Sequence, residues 1–446
     1  MTIELSTPTR IPGGIPLLGH VRQFARCPLE FVTGQYDRGE VVRFQLGPAP
    51  AYLLTSPRAV HELLRTHHNA SRNGVLFERL KILGGNGLGS LSGKPHRARR
   101  QMIMPLFARD LVDEHAATMA DVAVGIGDSW RDGQRLALDV ELHTASATIL
   151  VRTLFSSDLA RDVAEAAAAR LRVVFAGVAR RAYAPTDLPF RLPTSANREF
   201  NAAVRALHEL VDRIITASRG EHVERGDLVS MLLAARDQDT GEQLTDAQVH
   251  DDVMTAFFVG TEASAAALAW TFHLLDRHPD VANRVRAEVD EVLGGRPASV
   301  GDLPRLTYLR MVVHEALRLY PPGWLFPRIP IEDIAITGYR IPRGANVFFS
   351  PYTLHHDRRS FRDPEAFDPD RWLPEHARDI PPHAYIPFGL GQRSCVGDTM
   401  AMTALLIVVS TLLSRWEFRG VAGAEVAPVA ATVLHPDRLP MVVERR

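Results

Sequence analysis

The chain is poor in cysteine: its 446 residues include two, Cys27 and Cys395. Two cysteines form at most one disulfide, which excludes a small disulfide-stabilised scaffold and favours a reduced, cytoplasmic protein. Cys27 is interpreted as an ordinary small hydrophobic residue. The residues around Cys395 require a different interpretation, because Cys395 lies in a glycine-rich loop.

The chain also has little net charge, since its 51 Lys and Arg residues and 52 Asp and Glu residues give a formal net charge of -1. This balance gives no global attraction for nucleic acid, so no nucleic-acid partner is expected. A signal peptide is not visible, because no basic region followed by an apolar run is found at the N-terminus. The most apolar stretch, 404–416, is shorter than the ~20 residues of a membrane span. We therefore predict a buried helix there and no membrane span.

The pattern along the chain predicts a mainly α protein with a smaller β region. Strand-like runs at 41–46 and 51–55 flank a Gly-Pro turn. The Ala-, Leu- and Arg-rich segment 111–235 predicts successive helices. No internal repeat or low-complexity segment divides the chain, so we expect one domain over residues 1–446.

One predicted helix is unusually long. Thr245 is followed three residues later by Gln248, which is the form of a capping box, and the next proline is Pro279. This spacing allows roughly 33 helical residues, far above the typical globular length. The centre of the helix is apolar except for Glu262. A single acid inside a buried helix must be paired, protonated or functional.

The segment Pro387–Gly397 places Cys395 in a glycine-rich loop ahead of an apolar helix. Backbone amides, Arg393 and the helix N-terminus all favour a thiolate over a thiol. No second cysteine or close histidine has zinc-type spacing. A lone thiolate suits a metal whose other ligands come from a macrocycle, namely haem.

This loop resembles the haem-ligand signature of the cytochromes P450, Phe-Gly-x-Gly-x-Arg-x-Cys-x-Gly. All of its fixed positions match: Phe388, Gly389, Gly391, Arg393, Cys395 and Gly397. The resemblance extends over nearly the whole chain. It implies the cytochrome P450 fold, in which a long buried central helix lies over a haem held by a C-terminal Cys loop. The implied cofactor is haem b, with Cys395 as the iron ligand and Phe388, Gly389 and Gly397 as cofactor-binding residues.

Two further motifs support the resemblance. Glu315 and Arg318 resemble the Glu-x-x-Arg element of the family, and Arg371 resembles its partner arginine; all three imply a structural role. The residues that the resemblance assigns to the haem propionates are His96, Arg100, Arg328 and Arg393. Arg97 and Arg99 are interpreted as surface charge, with a basic docking patch for an acidic redox partner as the alternative.

The long helix departs from the family pattern. It has Gly260, Thr261, Glu262, Ala263 and Ser264, so alanine stands where the family usually has a threonine that helps to deliver protons to iron-bound dioxygen. Gly260 fits a helix that opens locally beside bound oxygen, and Glu262 supplies the acid. Ser264 or an ordered water is the favoured substitute for the threonine, with Thr261 or a hydroxyl of the substrate as alternatives.

The function that the resemblance implies is a haem-thiolate monooxygenase that takes electrons from a separate ferredoxin and ferredoxin reductase. The resemblance locates an apolar substrate pocket at Phe77, Leu83, Phe257, Trp324, Leu325, Phe326 and Val433. These side chains predict a hydrophobic substrate. A terpene is the first expectation and a polyketide stays open. Fatty acids are less favoured, because the distal-helix motif has no arginine to hold a carboxylate.

Three alternatives stay open at this stage. The same fold could serve a haem isomerase or dehydratase that needs no external electrons, which Ala263 keeps in consideration. A peroxide-driven oxygenase is a second. A non-catalytic haem-binding or gas-sensing protein is a third, although no output domain accompanies it.

Overall fold

The computed structural model describes residues 6–155, 160–182, 188–220, 228–237 and 240–446. Its helices are α1 Val21–Arg26, α2 Pro28–Thr33, α3 Pro57–His61, α4 Val75–Gly84, α5 Gly93–Ile103, α6 Arg109–Glu114, α7 Ala116–Asp128, α8 Leu138–Phe155, α9 Ala160–Ala182, α10 Leu188–Arg191, α11 Ser195–Gly220, α12 Leu228–Ala234, α13 Asp246–Arg277, α14 Pro279–Leu293, α15 Thr307–Leu319, α16 Pro351–His355, α17 Pro374–Ala377 and α18 Asp398–Leu413.

The strands of the described residues are short. They are β1 Thr9–Arg10, β2 Val41–Leu46, β3 Ala49–Leu54, β4 Ser71–Asn73, β5 Gln134–Ala137, β6 Phe326–Pro330, β7 Ile334–Ile336, β8 Tyr339–Ile341, β9 Asn346–Phe349, β10 Trp416–Gly420, β11 Pro428–Ala430, β12 Leu434–Pro436 and β13 Pro440–Arg445. The predicted mainly α class with a smaller β region is confirmed.

Contacts divide the chain into two compact units. One, called the β-rich unit here, comprises residues 1–78 and 317–395; the other, called the helical unit, comprises residues 79–316 and 396–446. The single catalytic domain expected from the sequence stays a prediction.

A six-stranded sheet organises the β-rich unit, in the order β1-β2-β3-β9-β6-β4. The predicted strand pair forms the hairpin β2–β3, in which Val41 pairs with Leu54. The parallel pairing of β3 with β9 brings a distant part of the chain onto the hairpin. Branched and aromatic side chains of these strands, such as Val41, Tyr52 and Val347, form the core of this unit. β7 and β8 form a separate two-stranded ribbon.

The helical unit is built around α13, which packs against α8, α11, α12, α18 and β12. The capping box predicted at its start is present: Gln248 N–H donates to Thr245 Oγ1, and Thr245 N–H donates to Gln248 Oε1. Among the described residues, α13 alone is long and apolar enough to cross a membrane, but most of its apolar stretch is buried inside the protein. It is therefore a core helix.

One predicted helix bound changes. Ahead of α15, which begins at Thr307, residues Val300–Asp302 form a 3-10 turn that Ser299 and Asp302 cap reciprocally. The apolar helix expected at 404–416 is Asp398–Leu413, and Trp416 opens strand β10. α14 ends as its sequence predicts, with Gly294 in the left-handed region at φ +56°.

Candidate active site

The Cys395 loop is held by its own backbone. Cys395 N–H donates to the Phe388 carbonyl at 2.8 Å, and Gly389 N–H donates to the Ile386 carbonyl at 3.0 Å. Gly391 has φ +71°, and a Cβ there would lie 2.8 Å from the Leu64 carbonyl oxygen. Only glycine satisfies both conditions. The Cys395 side chain is exposed and forms no disulfide, so the loop presents a thiol on a fixed backbone.

A buried histidine, to which no local sequence pattern pointed, supports the start of this loop. His355 Nε2 accepts the Ile386 N–H at 2.9 Å, and His355 Nδ1 lies 3.1 Å from the Arg318 carbonyl oxygen. Since Nε2 accepts, Nδ1 carries the proton and donates. Burial lowers the pKa of His355 well below its ordinary value. A neutral imidazole therefore joins α15 to the start of the Cys395 loop.

Two arginines form a cationic site in the β-rich unit. Arg328, on β6, is buried between the rings of Phe77 and Phe349, at 5.9 and 5.4 Å from their centroids. Burial, and then the charge of Arg393, lower its pKa to about 9. Arg328 pairs with no carboxylate in the part of the chain that the structure describes. A buried guanidinium beside a second one calls for an anion.

Arg318 acts as a structural strut, as its motif implied. It is fully buried, and its guanidinium donates to the carbonyls of His355, Pro364 and Ala366 at 2.7–2.9 Å. Arg371 is also buried and donates to the Asp363 carbonyl. Glu315, on the same helix as Arg318, is fully buried too. Arg318 and Arg371 thus stabilise the segment that precedes the Cys395 loop.

Helix α5 carries the predicted His96 and Arg100, four residues apart and so on one face. His96 is buried and Arg97 is exposed. The interpretation of Arg99 as surface charge is wrong: Arg99 is buried and forms an ion pair with Asp252 of α13. Burial raises the pKa of Asp252 to about 6 although Arg99 acts in the opposite direction. Arg99 thus fixes α5 to α13 and is not part of a docking patch.

Glu262 is paired, which is one of the states expected for a lone acid in a buried helix. Its Oε2 lies 3.2 Å from Nε2 of His143, and both side chains are largely buried. His143 belongs to α8 and is 119 positions away in sequence. No sequence pattern pointed to this partner.

The other positions of the 260–264 motif lie on the same turn of α13 as Glu262. α13 is helical without interruption from Asp246 to Arg277, so the local opening expected at Gly260 is absent. Gly260 has a packing role instead, because a Cβ there would lie 2.8 Å from Leu150 Cδ1 of α8. Thr261 is fully buried, whereas Ala263 and Ser264 are partly exposed.

The predicted pocket residues divide into two groups. Leu83 and Phe257 belong to the core of the helical unit, and Trp324 is packed against Phe24 in the β-rich unit. Each is at most 1% exposed, and the place of these three in a substrate pocket stays a prediction. Leu325 is also buried, while the partly exposed ones are Phe77, Phe326 and Val433.

No sequence pattern singled out Val259 as a site residue. It is 52% exposed in the middle of a helix whose neighbouring turns are mostly buried. Ala256 and Ala263, three residues before it and four after it, are also partly exposed, so the three mark an open apolar stripe on α13. Such a stripe suits contact with an apolar ligand.

The β-rich unit has the donor set that haem requires. It holds an accessible thiol on a fixed loop, and a buried guanidinium that pairs with no carboxylate of the described residues. A thiolate ligates haem iron, and guanidinium groups pair with its propionates. The residues therefore fit an anionic iron macrocycle.

Comparisons with known proteins agree with this chemistry. The family model described as "Cytochrome P450" matches residues 10–441. Cyclooctatin synthase of Streptomyces melanosporofaciens is 37% identical over 439 residues, covering 98% of this chain and 96% of the relative. Cyclooctat-9-en-7-ol 5-monooxygenase of the same organism is 38% identical over 435 residues, covering 98% and 95%.

A third relative, pentalenene oxygenase of Streptomyces avermitilis, is 36% identical over 429 residues and covers 96% of this chain and 95% of its own length. Among solved structures, the crystal structure of the cytochrome P450DA heme domain aligns with a TM-score of 0.87 at 24% identity, covering 99% of this chain and 98% of that one.

Proposed function

The chain belongs to the cytochrome P450 family and is a haem b monooxygenase, and we propose that it oxygenates a terpene skeleton with Cys395 as the iron ligand. The observation that carries the ligand assignment is the loop itself. Its glycines and the bond from Cys395 N–H to the Phe388 carbonyl fix one accessible cysteine, whose loop matches the ligand signature at every fixed position.

Other residues of the β-rich unit hold the cofactor in this proposal. Arg328 and Arg393 pair with propionate, which would relieve the repulsion that lowers the pKa of Arg328. Phe388, Gly389 and Gly397 shape the loop around the thiolate. In the helical unit, His96 and Arg100 are retained as predicted propionate partners.

When bound, haem supplies the activation of dioxygen, with one oxygen atom entering the substrate and the other leaving as water. This reaction consumes two electrons and two protons. Glu262 is the proposed acid that moves protons, because it is ionisable, largely buried and hydrogen-bonded. Ser264 directly follows Ala263 in sequence. Its hydroxyl is proposed to order a water molecule beside Glu262.

The substrate proposal rests on the relatives and on apolar side chains. The relatives act on pentalenene and on cyclooctat-9-en-7-ol by their names, and are terpene-modifying enzymes. In this chain, Val259 provides an exposed apolar contact on α13. Phe77, Phe326 and Val433 are the partly exposed residues kept in the proposed pocket. None of these groups could pair with a charged substrate.

Electrons come, in this proposal, from a separate ferredoxin and its reductase, and the protein acts in the cytoplasm.

The test is binding and turnover with defined probes. The purified holoprotein is titrated with pentalenene, a linear fatty acid and a macrolide, and the haem spin state is followed by absorption. We expect a shift with pentalenene, and an oxygenated product when ferredoxin, its reductase and NADPH are added. A shift with the fatty acid alone would contradict the terpene assignment. Product formed without any reductant would contradict the monooxygenase.

A further inference from the structure

Three buried polar atoms between helices α8 and α13 have no hydrogen-bond partner among the described residues. They are His143 Nδ1, Ser146 Oγ and Thr261 Oγ1. Their residues are 6%, 3% and 0% exposed. An unsatisfied polar atom at such depth costs about 1–3 kcal/mol. Buried groups of this kind normally find a partner, and ordered water is the usual one.

The three atoms lie in one interface. His143 and Ser146 are three residues apart on α8, so they share a face, and Leu150 extends that face by one turn. Leu150 contacts α13 at Gly260, and His143 contacts it at Glu262. Thr261 is the residue between these two contacts and is fully buried, which places it at the α8–α13 interface.

The Glu262 contact fixes the role of the imidazole. An ionised Glu262 only accepts hydrogen bonds, so His143 Nε2 carries the proton and donates at 3.2 Å. His143 Nδ1 is then an acceptor that needs a donor. The hydroxyls of Ser146 and Thr261 can bind a water that donates to it, since each hydroxyl both donates and accepts. Phe175 closes one side of the imidazole, 6.2 Å away in an edge-on arrangement.

We propose that His143 is a positioning residue that holds Glu262 and passes protons to it from a water bound by Ser146 and Thr261. A proton arrives at Nδ1 from that water as the Nε2 proton moves to Glu262 Oε2. The ring thus gains and loses one proton and carries no net charge afterwards. Glu262 releases its proton towards the substrate side and returns to a carboxylate. Rotation of the imidazole then restores the tautomer with the proton on Nε2, and the water regains its proton by exchange with solvent. This assignment rests on the proposed monooxygenase function.

The proposal accounts for the departure at Ala263. Protons that enter from the α8 side can reach Glu262 without a hydroxyl at position 263. Thr261 then acts on the α8 side of the helix, and not as the substitute for the usual threonine.

The experiment uses the reconstituted holoenzyme with ferredoxin and reductase, and pentalenene as the apolar probe. Oxygen consumption and hydrogen peroxide release are measured in H₂O and D₂O, because both are readable whether or not the probe is hydroxylated. His143→Gln keeps a donor to Glu262 but cannot relay a proton. His143→Phe removes both functions. His273→Gln, on the same helix as Glu262 but beside Trp270, is the control.

We expect both His143 variants to slow oxygen consumption on the order of 10²-fold, the lower range for a positioned acid–base group. The solvent isotope effect should differ from that of the parent protein, and the reduced carbon monoxide spectrum should not change. His273→Gln should match the parent. If His143→Gln were fully active while His143→Phe was defective, His143 would only orient Glu262. That result would overturn the proton relay. A parent protein without the thiolate spectrum would instead refute the proposed function.

Discussion

The imidazole of His355 accepts the backbone N–H of Ile386 at 2.9 Å, two residues before Phe388 opens the loop that carries Cys395. The same ring donates to the Arg318 carbonyl, so one buried side chain joins the end of α15 to the loop. The backbone bond from Cys395 N–H to the Phe388 carbonyl continues this connection. The position of the thiol therefore depends on a residue 40 positions earlier in the sequence.

Replacing His355 by phenylalanine should loosen the loop. The Ile386 N–H would lose its acceptor inside the protein, at a cost of about 1–3 kcal/mol in the free energy of unfolding. Urea unfolding measures this loss, and the fraction of thiolate-ligated carbon monoxide complex measures its effect on the loop. The matched control is His376→Phe at an exposed histidine of α17. Equal behaviour of the two variants would show that the Ile386 contact does not hold the loop.

Acid should destabilise the same region. Burial lowers the pKa of His356 to about 4 and that of neighbouring His355 well below its ordinary value, so both are neutral in the folded protein. Their contribution is fully present above the unfolded pKa of about 6.5 and is lost as pH falls through the folded pKa. For His356 this amounts to about 3 kcal/mol between pH 6.5 and 4.

The measurement is the free energy of unfolding in urea from pH 7.5 to pH 4.5, for the parent and for His356→Gln. A shallower acid slope in the variant is expected. Parallel slopes would mean that other groups cause the acid sensitivity.

Gly391→Ala should be more damaging than an ordinary glycine replacement. Gly391 and Gly344 both have positive φ, +71° and +76°, and each alanine there costs about 1–2 kcal/mol from backbone strain. At Gly391 the new Cβ also meets the Leu64 carbonyl, whereas nothing lies within 4 Å at Gly344. We expect at least about 1 kcal/mol more destabilisation at Gly391. Equal losses in thermal unfolding would exclude the Leu64 contact as a constraint.

The buried pair Arg99–Asp252 gives a double-mutant test. Asp252→Ala leaves the Arg99 charge buried and uncompensated, and should cost about 3–5 kcal/mol in the free energy of unfolding. Arg99→Met combined with Asp252→Leu removes both charges and should recover most of that loss. If the double variant is as unstable as the two single losses added together, the residues are not energetically coupled.

Local patterns predicted much of this fold. The capping box at Thr245 and the absence of proline before Pro279 predicted α13 to within a few residues. The alternation of the runs at 41–46 and 51–55 predicted the β2–β3 hairpin. Each of these signals lies within one element, where spacing and turn chemistry act directly.

The partners of the site residues could not be predicted in this way. Glu262 was expected to need a partner, because it is a lone acid in a buried helix. That partner, His143, lies on α8, 119 positions away in sequence. Arg99 was interpreted as surface charge, but α5 packs on α13 and buries Arg99 against Asp252. Gly260 suggested a local opening, while the structure uses it for contact with Leu150. Pairings between distant elements depend on tertiary packing, which a single sequence pattern does not encode.

The most direct test of the central claim is the absorption spectrum of the reduced protein under carbon monoxide, recorded for the parent, Cys395→Ser and Cys27→Ser. A strongly red-shifted Soret band is expected for the parent and for Cys27→Ser, and its loss is expected for Cys395→Ser. A Cys395→Ser protein that keeps the red-shifted band, or a parent protein that binds haem without it, would contradict Cys395 as the iron ligand.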